Sequence, residues 1–128
     1  MSEKVIRDII DKIVDKLYNI DYFVLMTIDI VNAHITHIIN AVDLNFALRE
    51  KDWKYVKKAY VKTELANIIH EIRYTRFAGK SITDEDKNRM VKMFTDILSP
   101  YEYEEYANEI IESVERSIAI ALETESKK

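Results

Sequence analysis

One glycine, Gly79, and one proline, Pro100, are all that 128 residues provide for sharp reversals of the backbone. An all-β domain needs turn residues at about every 8–12 positions, so that class is excluded. Aliphatic residues recur at helical spacing and a third of the residues are charged, which together predict an all-α fold. With 48% apolar residues the chain can bury one core, and its length leaves no room for two. The expectation is one helical domain over 1–128, a bundle of four to five helices built around a long antiparallel hairpin.

The first helix is predicted from Ser2 to Tyr18, with Val5, Ile6, Ile9, Ile10, Ile13, Val14 and Leu17 on one face. Asp21 is the expected N-cap of the second. Val24, Ile28, Val31, Ile35, Ile38, Val42 and Phe46 then follow steps of four and three. Nothing between Asp21 and Asp52 stops a helix, so one rod of about 40 Å is expected, with a bend near Asn40–Asn45 as the alternative. Its first ten residues are apolar almost all round, which predicts a central, buried element. Asp52 caps a third helix that runs to Phe77 and stops at Gly79. Thr83 and Asp86 have the spacing of a capping box for a short fourth helix. Ser99, Pro100 and Glu102 suit the N-cap, N1 and N3 positions of a fifth, which reaches about Leu122 and leaves 123–128 as a frayed tail.

The stretch KDWKYVKKAYVK, residues 51–62, interleaves five lysines with three aromatic rings. On a helical wheel Lys51, Lys54, Lys58 and Lys62 share one wedge, while Trp53, Val56 and Tyr60 fall opposite. The rings and most of the cations are therefore segregated, with only Tyr55 beside the lysine wedge, which weakens a stacking platform for nucleic acid. The later half of the same helix has its apolar face at Val61, Leu65, Ile68, Ile69 and Ile72, turned by well over 90° from the Trp53 side. Either the helix breaks near 60–63 or its two ends bury opposite sides. The second case predicts an aromatic patch at Trp53, Val56 and Tyr60, covered by another segment of the chain or by a partner.

Charge is uneven along the chain. Residues 49–80 carry nine Lys/Arg against four Asp/Glu, and residues 101–128 carry three against eight. Such faces attract each other between copies or within one bundle. The reading favoured here is a non-enzymatic interaction or assembly protein that self-associates, or binds another protein, through Trp53, Val56 and Tyr60. The alternative is a nucleic-acid-binding subunit whose Lys51, Lys54, Lys58, Lys62 and Arg73, extended by Arg76 and Lys80, contact phosphates.

Chemistry is sparsely signalled. His34 and His37 stand three apart and His70 could approach from the third helix, a weak metal site without the additional carboxylates that bundle metalloproteins use. No arginine accompanies Asn32 and His37 as a helical ribonuclease would need. DEDKN at 84–88 lacks the glycine and terminal glutamate of a calcium loop. One glycine makes no phosphate loop, and no cofactor is expected. The chain has no cysteine, which favours an intracellular, cytoplasmic setting. It also lacks glutamine and is rich in Lys and Glu, a balance resembling thermophile proteins and equally the product of an AT-rich genome. Charges throughout the first twenty residues argue against a secretory signal. Asp29 interrupts the most apolar run, 22–31, which is too short to cross a bilayer.

Overall fold

The computed structural model describes residues 2–38 and 44–126. They form an all-α domain of six α-helices. These are α1 (Ser2–Tyr18), α2 (Tyr22–Ile38), α3 (Leu44–Arg49), α4 (Trp53–Phe77), α5 (Asp84–Thr95) and α6 (Tyr103–Ser126), with a 3₁₀ turn at Pro100–Glu102. Among the described residues no helix is long and apolar enough to cross a membrane. The continuity of the second rod through residues 40–45 falls largely on 39–43, outside the described residues.

Local signals place most helix ends. The Asp21 carboxylate accepts the Phe23 N–H at 2.9 Å, and that of Asp52 accepts the Tyr55 N–H at 3.2 Å. Thr83 and Asp86 form the full capping box, each accepting the other's backbone N–H. These contacts, the Thr83 N–H first and Arg89 second, hold the Asp86 carboxyl below the usual carboxylate range. The expected start of the last helix is modified: Pro100–Glu102 winds as a 3₁₀ turn ahead of α6. Glu102 there accepts the Ser99 N–H at 2.8 Å, and both of its carboxylate oxygens accept from the Lys57 ammonium, at 2.7 and 2.9 Å. That ammonium is the main reason its carboxyl is held down. The tail is not frayed at 123, since α6 continues to Ser126 and Thr27 donates to Glu125 at 3.2 Å.

Two helices end in the same left-handed motif on different residues. Gly79 (φ 70°) follows α4, with Lys80 N–H reaching Thr75 C=O and Gly79 N–H reaching Arg76 C=O, both at 3.0 Å. Lys51 (φ 56°) follows α3 in the same way, Asp52 N–H reaching Ala47 C=O at 2.9 Å. A side chain in this region is strained by its Cβ. Lys51→Gly is therefore expected to raise stability by about 0.5–1 kcal/mol, and Gly79→Ala to lower it by about 1 kcal/mol. A Cβ at Gly79 would meet nothing within 4 Å, so its cost is conformational alone. Urea midpoints moving in opposite directions at constant m-value check the pair.

The core follows the predicted faces of α1 and of the later half of α4. Ile6, Ile9, Ile10, Ile13, Val14 and Leu17 are buried, with Val5 partly covered, against Met90, Val91 and Phe94 of α5 and Tyr106, Ile110 and Val114 of α6. α4 is one unbroken helix whose buried side turns along its length. Val61, Leu65, Ile68, Ile69 and Ile72 enter the main core, while Val56 and Ala59 are buried outside it, where α4 meets α3 with its buried Ala47. On an ideal wheel these two sides stand about 150° apart.

α2 departs from expectation. It packs antiparallel to α4 and also against α6, burying Val24, Leu25 and Ile28, but Phe23, Ile30, Val31 and Ile35 are exposed. Two neighbouring helices cover only part of a helix that is apolar all round, so one flank faces solvent. The predicted stripe members Ile38 and Val42 lie outside the described side chains.

Candidate interaction surface and the polar sites around it

Trp53 and Tyr60 face outward from the first turns of α4, 58% and 42% exposed. Val56, predicted on the same patch, is 5% exposed and covered within the chain, so it is not free to anchor a partner. The segment that packs on this part of α4 is α3, with its buried Ala47. In compensation α3 brings Leu48 to the patch, and the loop after α5 brings Ile97. Together with Trp53, Val56 and Tyr60 they line a hollow of about 440 Å³ rimmed by Lys57 and Asp96. Phe46 is exposed on the same short helix. The sequence reading missed Leu48 and Ile97, because neither belongs to the helix whose periodicity revealed the patch.

The predicted basic stripe is dispersed by the fold. Lys51 lies in the turn before α4, not on its wheel. Lys58 stands 3.9 Å from Glu109 of α6, and Lys57 pairs with Glu102 of the 3₁₀ turn ahead of it, so α4 and the segment 100–109 neutralise part of their opposite charge inside one bundle. Arg73 turns onto Asp29 at 2.8 Å. Arg76 donates to the carbonyls of Leu17 and Ile20 at 2.7 and 3.0 Å, capping the end of α1, and sits over the rings of Tyr18 and Tyr22. Lys54, Lys62 and Lys80 remain exposed.

Asp29 is the buried polar residue of the core region, 2% exposed. Its Oδ2 accepts Arg73 Nη1 at 2.8 Å and His70 Nδ1 at 3.0 Å. A carboxylate only accepts, so the proton of this bond sits on Nδ1 of His70 and leaves Nε2 toward solvent. Oδ1 is buried without a protein partner among the described residues. Asp29 first, then Tyr22, raise the Arg73 pKa above the usual arginine value. One carboxylate thus ties α2 to two residues one turn apart on α4.

The three histidines do not converge. His70 is engaged by Asp29, whereas His34 and His37 are exposed further along α2. On an ideal helix His37 stands about 12 Å beyond Asp29 along the axis. Among the described residues no group of three His, Cys, Asp or Glu could hold a metal ion.

Compared with known protein families, curated proteins and solved structures, this all-α bundle matches none.

Proposed function

We propose that this chain is a non-enzymatic interaction protein that self-associates through the α3–α4 aromatic surface. The observation that carries the reading is Trp53, the chain's sole tryptophan, standing more than half exposed beside an apolar hollow on its own face. Tryptophan and tyrosine dominate binding energy when they seat in such hollows. A protruding ring and an adjoining cavity on one face are self-complementary under a two-fold axis, each Trp53 covering the hollow of the other copy.

Light scattering across a concentration series is expected to show mass rising from monomer to dimer. Emission from Trp53 should shift to the blue over the same range as the ring leaves water. Trp53→Ala should raise the dimer dissociation constant by about thirtyfold, the effect of losing a hot-spot residue. A monomer at every concentration, with identical behaviour of the variant, sinks the reading.

A further inference from the structure

The exposed flank of α2 borders a groove of about 320 Å³ between α2 and α6, floored by α4. Ile28, Leu65 and Ala121 form its buried floor, while Val31, Ile35 and Ile120 stand half exposed along its rims. The helices α2 and α6 are antiparallel here. Thr27 meets Glu125 at one end, and the other end, at Thr36, holds Lys62 and Arg116. Neither cation has an ion pair among the described residues, in contrast to Lys57 and Lys58 about one turn earlier on α4.

We propose that this groove binds a single-chain anionic amphiphile, its carboxylate on Lys62 and Arg116 and its alkyl chain along Ile28, Val31, Ile35 and Ile120. Charge sets the direction: Lys62 and Arg116 mark the head end, where they also border Glu109 and Glu112 of the adjoining hollow, and no cation lines the groove at its Thr27 end among the described residues. Arginine offers a carboxylate a two-pronged, charge-assisted contact. The space is at the small end of ligand pockets, about 300–1,000 Å³. A partner helix about 10 Å across would not enter it, whereas a single chain would. From Thr27 to Thr36 the groove runs about 13 Å at 1.5 Å per residue. That is the span of about ten carbons at about 1.2 Å per bond of an extended chain.

Calorimetric titration with decanoate, hexanoate and decanol tests the proposal. Decanoate is expected to saturate one site, and hexanoate, four methylenes shorter, to bind about 250-fold more weakly, since each buried methylene is worth about fourfold. The double variant Lys62→Gln/Arg116→Gln changes two exposed side chains and should fold normally. It should weaken decanoate at least about tenfold, the scale of a lost charged contact, and leave decanol unchanged. No saturation by decanoate below about 1 mM overturns the proposal. So does equal affinity for decanol, or an unaffected double variant. Binding to anionic vesicles without binding of free decanoate would assign the face to a membrane surface instead. Ile120→Asp abolishing dimerisation with no decanoate bound would assign it to a second copy. The groove shares no lining residue with the Trp53 hollow, so Trp53→Ala should bind decanoate as the parent does.

Discussion

Arg73→Ala is expected to destabilise the fold by about 3 kcal/mol, at the lower end of the cost of breaking a buried ion pair. The cause is the group left behind rather than the bond removed. Asp29 is almost fully buried and its Oδ1 has no protein partner among the described residues, so without Arg73 its charge would rest on His70 alone. The sign of the effect therefore reverses when the carboxylate goes too. Arg73→Ala combined with Asp29→Leu should recover most of the loss, ending within about 1 kcal/mol of the parent, because the replacement asks for no counter-charge. Urea unfolding of the two single variants and the double one completes the cycle. A cost below about 1 kcal/mol for Arg73→Ala would mean that Asp29 does not depend on the guanidinium.

Phe94→Ala should cost about 3–5 kcal/mol, the other large effect. Phe94 is fully buried on α5 and is the bulkiest of the completely covered side chains. Removing its ring loses the transfer energy and leaves a cavity that tightly packed aliphatic neighbours fill only in part. Domains of this kind have about 5–15 kcal/mol in total, so the variant should stand near the edge of folding. Phe94→Leu, which keeps most of the volume, should lose less than about 1.5 kcal/mol. Equal midpoints for the two variants in chemical denaturation would contradict the packing at α5.

The helix ends were legible because their causes are local. Asp21, Asp52, Thr83 and Gly79 each act through backbone groups within five residues. Lys51 was not legible as a helix stop, since nothing in a lysine announces a left-handed backbone. The rotation of the buried side along α4 could be read from periodicity, and so could the outward aromatic pair, Trp53 and Tyr60. Val56 could not be separated from them, because its cover is a six-residue helix whose place is set by the fold.

Asp29 shows the same boundary from the other side. In the sequence it is an interruption of an apolar run, and a lone carboxylate on a buried helix does call for a counter-charge. His70 and Arg73, three apart on one face, were read instead for a metal and for phosphates, because they lie 41 and 44 residues away from Asp29 in the chain. The lysine wedge met a comparable fate when α6 came alongside and brought Glu109 to within 3.9 Å of Lys58.

By itself the amino-acid order determined that this chain is helical, where most helices begin and end, and which faces of α1 and α4 shun water. Those properties follow from hydrogen bonds and side-chain spacing within a few turns. Tertiary structure alone decided which neighbour covers each face, that α2 leaves a flank bare, and which charges cancel. Such outcomes depend on packing between segments far apart in the chain, where burial of one surface is settled only by the arrival of another.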